Sequence, residues 1–191
     1  MKKRVFIAIN LAPAVKEELA ILLSQLKKIN PQPVVRYVKA KSIHLTLHFL
    51  GYLDEQQLNQ TKIILKKSAK DYGATELATG QIGAFPDLKK PRVIFLSSRE
   101  VNGEGLINFQ KKLGQNLEKI GFDVDHRPWH PHLTLARIVG PCEFKTDQLK
   151  IPKLEIPVNS IELMESQLKP FGAEYKIIEN YTLRSNYEFM D

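Results

Sequence analysis

The tetrapeptide His-Leu-Thr-Leu occurs twice in this chain, at His44–Leu47 and at His132–Leu135. In an extended strand successive side chains point to opposite faces, so His44 and Thr46 share one face while Leu45 and Leu47 share the other. The second copy divides in the same way, His132 and Thr134 against Leu133 and Leu135. Buried leucines would fix each strand and aim an imidazole and a hydroxyl together at whatever lies opposite. Taken singly, either copy reads most simply as a half-buried strand. The repetition alters that judgement. Among five histidines there are about ten pairs, and a match in the next three residues by composition has a chance on the order of a few per thousand. Duplication explains the match better, and a purely structural duplication would more naturally preserve leucines than the polar residues facing away from them.

Two such strands related by a pseudo-twofold axis would line a cleft with two imidazoles and two hydroxyls. An unperturbed imidazole titrates at about 6.5, so near neutral pH one ring can act as base while the other acts as acid. Hydroxyls supply neutral donors to anionic oxygens. This inventory suits a phosphodiester, with water deprotonated on one side and an alcohol protonated on the other. Arg137 lies five residues after His132 and so on the opposite face of an unbroken strand. A twist or bulge near Ala136 is needed to turn its guanidinium towards a phosphate.

Two other readings stay open at this level. By strict alternation His48 falls on the face of His44 and Thr46, and His130 on that of His132, so up to four imidazoles could meet around a metal. Against that, no carboxylate or cysteine sits in or immediately beside either strand. The second is a non-catalytic RNA-binding module that uses Arg36, Tyr37, Lys39, Lys41, Arg127 and Trp129 as a basic, aromatic surface. It leaves the pairing of His with Thr without a reason.

The chain has 191 residues, 43% of them hydrophobic, and a formal charge of +7. That length can bury a full core as one large domain or two small lobes, and the charge favours an anionic partner without naming it. The lone cysteine, Cys142, excludes an intramolecular disulfide and a cysteine-rich metal cluster, and points to a reducing compartment. No apolar run is long enough to cross a bilayer. The opening MKKRVFIAINLAPA mimics a short signal peptide, but Asn10 interrupts its apolar stretch and a helix pattern follows at once.

The elements that must position the motifs alternate. Arg4–Leu11 reads as a strand, with Pro13 suited to the first turn of a helix that carries Val15, Leu19, Leu22, Leu26 and Ile29 and stops at Asn30 and Pro31. Extended segments follow at Val34–Val38 and Ile43–Leu50, then a helix capped by Asp54 with Gln57 three residues on. Strands are expected at Leu77–Phe85 and Arg92–Leu96, and a helix from Asn102 to Ile120 that ends at Gly121. Ile138–Ile151 reads as loop with a short helical turn, and the tail as strands Glu155–Glu165 and Glu174–Leu183 around a turn at Pro170–Gly172. No linker divides the chain.

The paired HxTx motifs resemble the signature of the 2H phosphoesterase superfamily. More narrowly, VVRYVKAKSIHLTLHFLG, GAFPDLKKPRVIFL and HRPWHPHLTLAR, with the opening RVFIAI, resemble the LigT-like RNA 2',3'-cyclic phosphodiesterases, historically called 2'-5' RNA ligases, over nearly the whole chain. The resemblance implies an α+β fold that is bilobal, with two pseudo-twofold related antiparallel sheets, helices on the outside and the active cleft between the lobes. It makes residues 1–191 a single domain of two intertwined lobes, one HLTL in each. It implies metal-independent, cofactor-free hydrolysis of RNA 2',3'-cyclic phosphate ends to 2'-phosphates, with His44 as proton donor and His132 as proton acceptor. Thr46 and Thr134 would donate to the phosphate oxygens, and Arg137 would bind the phosphate or nearby backbone. Tyr37 stands where the family often has Trp, and Trp129 where Phe is common, while His48 and His130 lie outside the motif. Ligation through a 2'-5' linkage would be the reverse reaction in outline, with a 5'-hydroxyl in place of water. The expected partner is an RNA with a cyclic phosphate terminus and not a membrane, and the expected state is a cytoplasmic monomer.

Overall fold

In the computed structural model the residues described are 2–103, 105–147, 149–169 and 172–185. Apolar residues, leucines in His44–Leu53 and His132–Ile138 and Val, Ile and Phe in Lys3–Asn10 and Val93–Glu100, form the inner strands, and leucines at helical spacing form the layer that covers them. The opening run becomes β1, Lys3–Asn10, buried on both faces from Val5 to Ile9. Pro13 opens α1, Pro13–Ile29, where its missing N–H leaves no helical bond unmade. The segments that follow are β2 (Val35–Tyr37), β3 (His44–Leu53), α2 (Glu55–Asp71), β4 (Thr75–Phe85), β5 (Val93–Glu100), α3 (Gly105–Glu118), β6 (His132–Ile138), β7 (Glu155–Val158), β8 (Ser160–Lys169) and β9 (Gly172–Thr182).

These elements follow the expectation from the sequence closely, with three differences. First, α3 begins at Gly105 and not at Asn102, because Val101–Gly103 form a turn in which Gly103 takes a φ of 110°. The Glu100 carboxylate then accepts from the Leu106 N–H at 2.7 Å. Second, the residues described between Ile138 and Glu155 form a loop with a turn at Asp147 and no helix. Third, the strand expected over Glu155–Glu165 is broken at Asn159, with β7 pairing with β4 and β8 with β1. Of the turn expected at Pro170–Gly172, Pro170 and Phe171 lie outside the described residues.

The architecture is mixed α and β, a curled antiparallel sheet covered by three helices. Hydrogen bonding runs through the strands in the order β7-β4-β5-β6-β3-β1-β8-β9, with β2 added beside β6. The two sheets expected are thus halves of one sheet. Read outward from the middle the order is symmetric: β3 answers β6, β1 answers β5, β8 answers β4 and β9 answers β7. Each half builds its inner pair through a helix, β1-α1-β3 on one side and β5-α3-β6 on the other. The chain passes between halves more than once, since β2 joins β6 and the break at Asn159 carries it back from β7 to β8.

One apolar cluster joins all three helices to one face of the sheet. It includes Leu19, Leu22 and Leu26 of α1, Leu65 of α2, Leu106, Leu113 and Leu117 of α3, and Leu45, Leu47, Leu133 and Leu135 of the repeated motifs. A second, smaller cluster of Phe6, Ala8 and Met164 lies on the other face, with Tyr175 packed against it.

The Asp54 side chain accepts from the Gln57 N–H at 2.9 Å, and the Gln57 side chain accepts from the Asp54 N–H at 3.1 Å. Both bonds satisfy donors that the first helical turn leaves unpaired. Replacement of Asp54 with Ala should lower stability by about 1 kcal/mol and the melting temperature by roughly 2–4 °C, as read by thermal denaturation.

Candidate active site

β3 and β6 meet through one backbone pair, Leu45 against Leu133. Continued from that pair, the antiparallel register sets His44 across from Thr134 and Thr46 across from His132. Leu45 and Leu133 are buried at 1% and 0% exposure, while the four polar side chains are half-buried on the face without helices. Each imidazole therefore stands beside the hydroxyl of the other half. Among the described residues neither threonine hydroxyl has an internal hydrogen-bond partner.

Both strands are irregular at the same point after the motif. Ala8 pairs with Thr46 and Ile7 with His48, leaving Leu47 unmatched. Phe95 pairs with Thr134 and Ile94 with Ala136, leaving Leu135 unmatched. Each extra residue is a β-bulge. It puts Leu47 and His48, or Leu135 and Ala136, on the same buried face, and alternation then resumes in the opposite phase. Arg137 consequently lies on the face of His132 and Thr134, the one without helices, through the bulge that its spacing required.

The same phase reversal corrects the strict alternation assumed for His48. Its ring turns into the core, with Nε2 2.9 Å from the Gln110 carbonyl, while Gln110 Nε2 donates to the Leu47 carbonyl at 3.2 Å. The ring fits because α3 carries Gly114 there: a Cβ at that position would lie 2.9 Å from His48 Cε1. Four imidazoles therefore do not line one cleft. His130 is exposed and contributes its carbonyl to His132. Among the described residues no group of three or more His, Cys, Asp and Glu is arranged to hold a metal ion.

The two motif imidazoles are held identically. His44 Nδ1 is 2.8 Å from the Ser42 carbonyl and His132 Nδ1 is 2.7 Å from the His130 carbonyl. A carbonyl only accepts, so Nδ1 carries the proton in both rings and Nε2 of the neutral ring keeps a free lone pair. Burial pushes the His44 pKa below that of free imidazole, the Ser42 bond partly offsets this, and the charges of Lys16, Arg137 and His132 add to the fall. Burial likewise lowers His132, offset by its bond to His130 and reinforced by His130 and Arg137.

Aromatic rings wall each imidazole. His44 has Phe6 and Tyr175 at 4.9 Å between ring centroids, and His132 has Phe85 at 5.2 Å and Phe95 at 5.3 Å. The Phe95 ring lies over Gly83, where a Cβ would stand 2.5 Å from its Cζ. Two strands away from His44, on β8, is a polar group that periodicity did not reveal. Glu162, 2% exposed, accepts from the Asn10 N–H at 2.9 Å, the Ser160 hydroxyl at 2.6 Å and the Asn180 amide at 2.8 Å. Asn10, the register partner of His44, takes Lys16 Nζ at 3.5 Å on its side-chain oxygen.

The aromatic surface expected of an RNA-binding module is committed elsewhere. The Tyr37 hydroxyl donates towards the Leu26 and Asn30 carbonyls at 3.0 and 3.1 Å, and burial pushes its pKa up to about 12. The Trp129 indole donates to the Thr46 carbonyl at 3.0 Å, and Arg127 pairs with Asp125. Tyr37 and Trp129 are partly buried and hydrogen-bonded to backbone carbonyls, Tyr37 fastening β2 to α1 and Trp129 the segment before β6 to β3.

A profile described as the 2'-5' RNA ligase superfamily matches residues 11–170. The chain belongs to that superfamily. A relative from Methanothermobacter thermautotrophicus, named RNA 2',3'-cyclic phosphodiesterase, is 27% identical over 96% of this chain and 100% of its own length. Another of the same name from Thermus thermophilus is 31% identical over 96% of this chain and 92% of its own. A solved structure, also from Thermus thermophilus, superposes with a TM-score of 0.80 at 28% identity, covering 96% of this chain and 100% of that one. E. coli LigT complexed with 3'-AMP shares the fold, with a TM-score of 0.74 at 24% identity and coverage of 96% and 99%.

In this superfamily member Phe49 occupies on β3 the place that Arg137 occupies on β6, directly after the bulge. It is 64% exposed, with Phe6 6.1 Å away. Sequence reading missed it because an unbroken strand would bury it beside Leu47; the equivalence of Phe49 with Arg137 in the two aligned motifs was the signal that could have found it.

His44, His48 and His132 all titrate lower in the folded protein than free imidazole. Below about 6.5 the unfolded chain therefore binds more protons than the folded one, and the sign follows: stability falls on acidification through that window. Urea denaturation at pH 7.5 and pH 5.0 should give the lower unfolding free energy at pH 5.0, and a gain on acidification would contradict the buried, neutral rings.

Proposed function

We propose that this protein is a metal-independent RNA 2',3'-cyclic phosphodiesterase that converts cyclic phosphate ends to 2'-phosphates by paired-histidine acid and base catalysis. One observation carries the reading: two imidazoles with the same fixed tautomer, each with Nε2 unengaged, on strands joined by the Leu45–Leu133 pair. In this scheme His132 Nε2 takes a proton from water as the oxygen attacks phosphorus. The P–O3' bond breaks, and His44 delivers its Nε2 proton to the departing 3'-oxygen. Thr46 and Thr134 donate to the non-bridging oxygens, and Arg137 offsets the charge that builds there. His44 must be protonated for this role, and the anionic phosphate provides the cause, its charge offsetting the burial and the neighbouring cations that hold the pKa down.

In the same reading the chain acts as a monomeric single domain of two lobes, one HLTL motif in each. The relatives named RNA 2',3'-cyclic phosphodiesterase support the substrate class. Run in reverse, with a 5'-hydroxyl in the place of water, the same groups would join RNA ends through a 2'-5' linkage.

Replacement of His44 or of His132 with Ala should lower turnover of an oligonucleotide 2',3'-cyclic phosphate by about 10²–10⁴, in chelator, with an unchanged circular dichroism spectrum; full activity in either variant would remove the mechanism. The pH profile adds a second check. The free enzyme needs one neutral and one protonated ring, and both titrate below about 6.5, so kcat/KM should peak on the acid side of neutrality. The profile of kcat, which reports the bound complex, should be displaced upward. A kcat/KM still rising at pH 8 would exclude His44 as the acid.

A further inference from the structure

β2 and β6 set two arginines side by side on the cleft face. Arg36 is the register partner of Arg137, which places their Cβ atoms about 4.5–5.5 Å apart on the same side of the sheet. That side is the cleft because the bulge at Leu135 has turned Arg137 there, and Arg36 is exposed. Like charges directly opposite on a ladder repel. Among the described residues neither guanidinium has a carboxylate partner, the ion pairs being Lys3–Glu165, Lys62–Glu179, His126–Glu118 and Arg127–Asp125. Two unpaired guanidinium forks on one face form an anion site larger than a single cyclic phosphate requires.

Its position is informative. β2 borders β6 at Ala136–Ile138 on the side where β3 borders it at Leu133, so Arg36 lies in the column of His44, beyond it. It stands about 7–10 Å along the strand from Thr134 at a rise of ~3.3 Å per residue, a separation of the order of one nucleotide step. The other end of the cleft is apolar, with Phe49, Phe6, Met164 and Ile177 in successive register across β3, β1, β8 and β9.

We propose that Arg36 binds the phosphate on the 5'-oxygen of the terminal nucleotide, the last internucleotide phosphate of the RNA, while Arg137 reaches the cyclic phosphate. This rests on the phosphodiesterase reading and deepens it: the site selects an RNA end over a free nucleoside 2',3'-cyclic phosphate.

The test compares three substrates in chelator: adenosine 2',3'-cyclic phosphate, the same nucleotide bearing a 5'-phosphate, and the dinucleotide ApA ending in a 2',3'-cyclic phosphate. The wild type should show kcat/KM at least tenfold higher for the dinucleotide than for the nucleoside, mainly through KM, and the 5'-phosphorylated nucleotide should share the gain. Arg36→Gln should bring the dinucleotide-to-nucleoside ratio to about one, and Arg36→Lys should retain part of it. The log–log salt dependence for the dinucleotide should be steeper by about 0.7 in the wild type, and Arg36→Gln should remove the difference. A ratio untouched by Arg36→Gln overturns the proposal, as does equal loss on all substrates. A gain confined to the dinucleotide also overturns it, since the penultimate base is then being read. Absence of hydrolysis by the wild type defeats the phosphodiesterase reading itself. The anion site is then judged by titration with adenosine 2'-phosphate with and without a 5'-phosphate: weakening by Arg36→Gln of the 5'-phosphorylated ligand alone upholds it, and any other pattern overturns it.

Discussion

The geometry of the cleft depends on one backbone pairing, Leu45 with Leu133, and on the burial of the leucines around it. A one-residue slip between β3 and β6 would carry the imidazoles into the core and the leucines into the cleft. The helices oppose such a slip, because Leu22, Leu113 and their neighbours pack against the leucine face from behind. Helical packing on one face thus becomes positional accuracy on the other. The i−2 carbonyls complete the arrangement by setting the tautomer as well as the direction of each ring.

The two halves share a strand order and a bulge, but their cleft-facing residues differ. One half surrounds its imidazole with Phe6, Tyr175 and Met164, and ends in the exposed ring of Phe49. The other ends in Arg137, with Arg36 beside it on β2. Lys16, held on the side chain of Asn10, adds a charge that acts on His44. Rings of the same tautomer thus sit in unequal fields: Lys16 acts on His44, and His130 acts on His132. Both neighbours act in the same direction, each lowering the pKa of the ring beside it.

Much of this was legible before the coordinates. Alternation located the polar face of both motifs, and helical spacing located α1 and α2 to within a few residues of their ends. The capping box at Asp54 and Gln57 could be read directly because its chemistry is local. What alternation could not place was whatever lay beyond a break in its own period. Strict alternation puts His48 and Phe49 each on the wrong face, and the Glu155–Glu165 run conceals a change of partner at Asn159. The network at Glu162 escaped for another reason: its members come from β1, α1, β8 and β9, and no spacing along the chain records their meeting. Tyr37 and Trp129 looked like surface aromatics because their hydrogen-bond acceptors are carbonyls, which composition does not reveal.

The bulges also show that a chain can aim a side chain through backbone pairing alone. Leu135 and Leu47 make no polar contact with the cleft, yet each shifts the frame of everything after it in its strand. Were the same residues to run on without the bulge, the guanidinium of Arg137 would be driven among the leucines under the helices, and the methyl of Ala136 would take its place beside Thr134. The direction of Arg137 is therefore set by which residue of β6 the ladder with β5 leaves unmatched, and that of Phe49 by the residue of β3 that β1 leaves unmatched.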